Sequence, residues 1–203
     1  MLCGDSTVVD QETEPWSSWG QIIPRWFDES VCFANFAESG ETSTSFMKER
    51  RLDKILSMIE EGDYLLVEFG YNDEKDKGDN AGGFKNYAQN LETYIAKARE
   101  KGANPIIVSP TARRMFEGDK AKNSHGDYPE AARQVVEKTG VEFIDLTQMT
   151  MDLIEAFGTS NSKKLYVHYP AGTYQATELK DDTHFNPFGA YEVAKCVVMG
   201  LKN

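Results

Sequence analysis

The run Tyr64-Leu65-Leu66-Val67-Glu68-Phe69, bounded by Gly62-Asp63 and Gly70, restricts the possible folds of this chain more than any other stretch. Six nearly unbroken apolar residues between turn formers read as a strand buried on both faces, and such strands belong to parallel sheets whose two faces are covered by helices. The flanking sequence supplies those helices. Phe46, Leu52, Ile55, Leu56 and Ile59 recur near helical spacing within a helix expected from Ser43 to Glu61. Further helices are expected from Phe84 to Lys101, Tyr128 to Thr139, Thr147 to Phe157 and Pro187 to Leu201, with a short one around Trp19 to Phe27. Strands are expected at Met1–Cys3, Val31–Phe36, Pro105–Ser109 and Glu142–Asp145. Strands that alternate with helices specify an α/β fold, because each parallel crossover needs a covering helix. The expectation is therefore one domain over residues 1–203, a three-layer α/β/α sandwich with a five-stranded parallel sheet.

In such open sheets the ligand crevice lies outside the carboxyl ends of the strands. Gly4-Asp5-Ser6-Thr7 falls there, directly after Met1-Leu2-Cys3. By itself the tetrapeptide is also what a plain tight turn looks like. The far end of the chain adds Asp181-Asp182-Thr183-His184-Phe185-Asn186-Pro187. A serine at a strand end, with a histidine that follows a carboxylate by three residues, is a complete set for nucleophilic acyl transfer. If residues 181–184 make one helical turn, Asp181 and His184 share a face and Asp182 points elsewhere. Oxyanion donors are expected from the Ser6 N–H, the Gly40 N–H and the Asn72 amide, all at strand ends.

These residues resemble, in order and over essentially the whole chain, the four blocks of the SGNH/GDSL hydrolases: Gly4-Asp5-Ser6, Gly40, Gly70-x-Asn72-Asp73 and Asp181-x-x-His184. Val167-His168-Tyr169-Pro170-Ala171-Gly172-Thr173-Tyr174, with Asp182 to Ala190, is similar to the rhamnogalacturonan acetylesterase group. The resemblance implies a flavodoxin-like fold and metal-free serine esterase chemistry without a cofactor. It further implies removal of acetyl groups from a pectic polysaccharide, with Ser6, Asp181 and His184 as the triad and Ser6, Gly40 and Asn72 as oxyanion donors. Glu41 departs from the pattern, since relatives of this kind commonly carry a basic residue after the second-block glycine.

Four further residues are candidates for substrate contact. Arg113 could pair with a galacturonate carboxylate through its guanidinium fork, or form a solvated surface pair with Arg114. His125 lies in a long loop after a strand end, His168 could line a sugar cleft, and Tyr174 could stack on a sugar ring, although aromatics in irregular segments also simply pack down. Rival readings are an esterase for acetylxylan, a lipid or thioester hydrolase, and a sugar-binding module without catalysis. The loops near the site are rich in Gly, Asn, Asp and Tyr and do not suggest an apolar acyl channel.

A formal charge of -11 argues against nucleic acid as a partner, because phosphate binding needs a basic face. No apolar run is long enough to span a bilayer, and no Gly-rich phosphate loop follows any strand. Cys3, Cys32 and Cys196 form no Cys-x-x-Cys pair, so buried free thiols are expected rather than a zinc site. The N-terminus has no charged stretch followed by an apolar one. The expectation is therefore a cytoplasmic protein or a mature secreted or periplasmic form with its leader removed. Three residues are short for a central strand, which points to further residues upstream of Met1.

Overall fold

The computed structural model describes residues 1–202. Its strands are β1 (Leu2–Cys3), β2 (Tyr64–Glu68), β3 (Asn104–Val108), a short hairpin of β4 (Phe116–Glu117) and β5 (Lys120–Ala121), β6 (Glu142–Ile144), and a second hairpin of β7 (Tyr166–Tyr169) and β8 (Leu179–Phe185). The main sheet is parallel, in the order β1-β2-β3-β6. Side chains alternate across it. Leu65, Val67 and Ile107 face one core, lined by α2 (Ser43–Lys48), α3 (Arg51–Leu56), α4 (Ala88–Glu100) and α5 (Tyr128–Thr139). Leu66, Ile106 and Val108 face the other, lined by α1 (Trp19–Ile22), α6 (Leu146–Asn161) and α7 (Pro187–Gly200). Each such side chain contributes roughly 1.5–3 kcal/mol by leaving water, and three layers result.

The sheet has four strands rather than the expected five. Val31–Phe36 runs beside β1 but makes a single parallel bridge, Leu2 to Asn35, with Leu2 N–H on Ala34 O at 2.9 Å and Phe36 N–H on Leu2 O at 2.9 Å. Two things cut the pairing short. β1 has only two residues to offer, and the Asn35 amide turns aside to donate to Val8 O (2.7 Å) and Asp10 Oδ1 (2.9 Å).

The helix expected from Ser43 to Glu61 is two helices, split at Arg50, whose φ of 62° leaves the right-handed region. The stretch between Phe157 and Asn186 holds the β7–β8 hairpin. Of the three cysteines only Cys3 is buried; Cys196 is half-buried and Cys32 exposed, because its segment bonds to β1 only at Ala34–Phe36 and leaves Cys32 beyond the pairing. Among the described residues, no helix is long and apolar enough to cross a membrane.

Candidate active site

The turn after β1 is shaped by its own side chains. Asp5 Oδ1 accepts the Thr7 N–H at 3.0 Å, and Asp5 O accepts the N–H groups of Val8 and Val9, each at 3.0 Å. Gly4 is required here because a Cβ would stand 2.6 Å from Glu68 O and 2.6 Å from Val8 Cγ2. The turn therefore packs directly on β2. Ser6 emerges from it half-buried, with Oγ 3.1 Å from His184 Nε2.

His184 and Asp181 lie on β8, in an extended strand rather than in a helical turn. The register with β7 pairs Tyr166 with Phe185 but Val167 with Asp181, so residues 182–184 bulge out of the ladder. Such a bulge re-aims side chains, and here it brings residues three apart in a strand onto the same side. Asp181 Oδ1 accepts the N–H groups of Thr183 (2.8 Å) and His184 (2.9 Å), closing the bulge from inside. The bulged carbonyls are satisfied from outside, by Tyr71 Oη on Thr183 O (3.2 Å) and Arg114 N–H on Asp182 O (2.9 Å). Asp181 Oδ2 is then left for His184 Nδ1 at 2.8 Å, with Trp16 Nε1 on the same oxygen at 3.4 Å. Burial works to raise the Asp181 pKa, but the His184 side chain, the two backbone N–H groups and the imidazole charge outweigh it and hold the carboxyl down to about 2. Asp182 turns the other way, to Arg114 Nη1 (2.9 Å) and His168 Nε2 (2.8 Å).

The loops after Phe36 and Phe69 meet beside this pair. Asn72 is buried, donating from Nδ2 to Glu41 O at 3.0 Å while its Oδ1 accepts Lys75 Nζ at 2.6 Å. The lysine thus fixes which end of the amide is the donor. Gly40 is exposed, at a φ of 84° that favours glycine. Among the described residues, neither the Ser6 nor the Gly40 backbone N–H has an intramolecular acceptor. Asp73 braces both loops by accepting from Ser43 N–H (3.0 Å) and Gly70 N–H (3.1 Å). Burial lifts its carboxyl to about 6 against those bonds.

A hydroxyl, an imidazole and a carboxylate in one hydrogen-bonded line are groups that suit acyl transfer. Residues 2–190 match the model of the GDSL-like lipase/acylhydrolase family. The chain belongs to that family. As a GDSL acylhydrolase it is a carboxylic ester hydrolase. It is 38% identical to the rhamnogalacturonan acetylesterase RhgT of Bacillus subtilis, over 99% of this chain and 88% of that protein. It is 35% identical to a second B. subtilis protein, the probable rhamnogalacturonan acetylesterase YesY, over 99% and 91% respectively. The crystal structure of the B. subtilis protein YXIM superposes with a TM-score of 0.85 at 24% identity, covering 99% of this chain and 55% of that one, a likeness of fold.

The residues expected to meet substrate occupy different places around the Ser6–His184 pair. His125 is buried: Nε2 lies 2.7 Å from Thr111 O and Nδ1 3.2 Å from Glu74 Oε2, so neither nitrogen is free for a sugar. The Arg113 guanidinium is paired with Glu74, donates to Ser124 O at 3.1 Å and sits 4.2 Å from the centre of the Tyr71 ring. Its fork is already engaged. Both residues brace Tyr71, which in turn holds the β8 bulge. His168 reaches Asp182 rather than open solvent, whereas Tyr174 is exposed and meets Tyr169 edge-on at 4.8 Å, near the hairpin tip. Arg114, Tyr71 and Trp16 hold the bulge without having been singled out for that task. Of these only Tyr71 had a sequence signal, its place inside Gly70-x-Asn72.

Proposed function

We propose that the chain is a carbohydrate acetylesterase with Ser6 as nucleophile, His184 as general base and acid, and Asp181 as the carboxylate that orients it. The observation that carries this reading is the continuous chain from Ser6 Oγ to His184 Nε2 (3.1 Å) and from His184 Nδ1 to Asp181 Oδ2 (2.8 Å). With its proton on Nδ1, the imidazole leaves Nε2 free to take the serine proton as Oγ attacks the acetyl carbonyl. The tetrahedral oxygen accepts from the N–H groups of Ser6 and Gly40 and from Asn72 Nδ2, each such donor being worth roughly 3 kcal/mol. His184 then protonates the departing sugar oxygen. Water, activated by the same imidazole, releases acetate from the Ser6 ester.

The polysaccharide we propose is rhamnogalacturonan, on the strength of relatives at 35–38% identity over nearly the full chain. Exposed Tyr174 and half-buried Tyr169 meet edge-on at the tip of the hairpin that carries Asp181 and offer aromatic surface for a sugar face. Acetate release from acetylated rhamnogalacturonan and acetylated xylan, together with rates on aryl acetate and aryl octanoate, tests the assignment. Faster release from rhamnogalacturonan and a preference for acetyl are expected; a preference for octanoyl, or for xylan, contradicts it.

A further inference from the structure

Beneath the Ser6 turn lies a pair of carboxyl groups that acyl transfer does not use. Asp5 and Glu68 are each 1% exposed, and the Thr7 hydroxyl stands between them, 3.0 Å from Asp5 Oδ1 and 3.0 Å from Glu68 Oε1. A threonine hydroxyl has one hydrogen. It can donate to one of those oxygens, and the other contact is a hydrogen bond only if that oxygen brings its own proton. The remaining donors are unevenly divided. Glu68 also accepts the Thr111 N–H at 3.0 Å and the Trp19 indole N–H. Asp5 receives only the Thr7 N–H, on Oδ1, and its Oδ2 has no partner among the described residues. Three donors favour the charged form of Glu68, whereas a dry carboxyl with one donor beside a second carboxylate favours its neutral form.

We propose that Asp5 is a neutral carboxylic acid in the folded chain, donating its proton to Thr7 Oγ1, which gives its own hydrogen to an ionised Glu68. One buried proton thereby ties the nucleophile turn to β2, and Thr7 becomes a positioning residue for Ser6. That last role rests on the esterase reading, whereas the proton does not. Around the pair, His125 and His184 face Asp5 and favour its ionised form, while Tyr71, Asp73 and Tyr87 also lie within its field. Burial, the largest influence, works the other way and pushes Asp5 up. Burial and the Asp5 charge lift Glu68 as well, to about 8, and it is the three donors on Glu68 against one on Asp5 that place the shared proton on Asp5.

A carboxyl whose folded pKa lies above its unfolded value takes up a proton on folding. Its contribution to stability is full below about pH 4 and is lost as pH rises toward the folded value. Asp5→Asn cannot take up that proton. The Tm difference, wild type minus Asp5→Asn, is therefore expected to fall steadily from pH 4 to pH 8; a constant or rising difference overturns the proposal. Infrared spectra of wild type with 13C-carboxyl aspartate, taken at pH 8 where Asp73 is ionised, need no variant. They are expected to keep a protonated-carboxyl band. Its absence, or its appearance only with labelled glutamate, overturns the assignment. For the positioning role, Thr7→Val is expected to lower kcat on an aryl acetate roughly tenfold with KM held, and Thr7→Ser to restore it. An unchanged kcat in Thr7→Val removes that role. Because the Tm and infrared readouts use no substrate, failure of the proton assignment and failure of the esterase reading are distinguishable.

Discussion

Replacing Asp181 by Asn tests the base–carboxylate half of the site, and the structure sets the size of the effect. The two backbone N–H groups on Oδ1, at 2.8 and 2.9 Å, would hold the carbonyl end of the asparagine where Oδ1 now sits. The amide NH2 would then face His184 Nδ1. A donor there forces Nδ1 to accept and places the imidazole proton on Nε2, the atom that must receive the serine proton. A charge term adds to this. A carboxyl held at about 2, against an ordinary value near 3.9, reflects roughly 2.5 kcal/mol of preference for the charged form. The His184 imidazole supplies only part of that preference, beside the two backbone N–H groups, so its loss adds a charge penalty to the tautomer effect. Tautomer and charge together predict a fall in kcat of about 10²- to 10⁴-fold on an aryl acetate at neutral pH. Stability carries a second signature. Because the folded pKa of Asp181 is depressed, its contribution is present above about pH 4 and is lost as pH falls toward 2. The stability gap between wild type and Asp181→Asn is thus expected to narrow over that window. A variant within tenfold of wild type would refute the role given to Asp181.

Two further substitutions probe the frame around the site. Gly4→Ala drives a Cβ to 2.6 Å from Glu68 O, a backbone atom that cannot swing away, and is expected to cost about 1–3 kcal/mol in a urea melt and to lower kcat. Arg113→Met removes the partner of Glu74 and the cover over Tyr71 and is expected to lower Tm without raising KM for rhamnogalacturonan; a raised KM at unchanged Tm would make Arg113 a substrate contact after all.

Much of the architecture was legible because the physics acting on it is local. The apolar run at Tyr64–Phe69 could only be a doubly covered strand, and the helical periodicities on either side identified the covers. Ser6, Asp181 and His184 stood out in the sequence through their chemistry, and the fold brings the three side chains into one hydrogen-bonded line. What escaped depended on partners distant in sequence. Val31–Phe36 has strand composition, yet its pairing is limited by a two-residue neighbour and diverted by Asn35. Arg50 breaks a helix with no Gly or Pro to announce it. β8 reads Leu-Lys-Asp-Asp-Thr-His-Phe, which has no apolar alternation, because its bulge is held by Asp181, Tyr71 and Arg114 rather than by a buried face. His125 carries the residue type of a loop ligand, and only its contacts with Thr111 and Glu74 show it to be an internal brace.

The central claim is that Ser6 carries the acyl group. Incubating the protein with an aryl phosphonate ester, followed by peptide mass spectrometry, tests it most directly, because the organophosphorus adduct stays on the attacking oxygen. Modification of the peptide containing Ser6 is predicted, matched by loss of esterase turnover, with neither adduct nor turnover in Ser6→Ala and slow labelling in His184→Ala. An adduct on another residue, or turnover that persists in Ser6→Ala, would contradict the account.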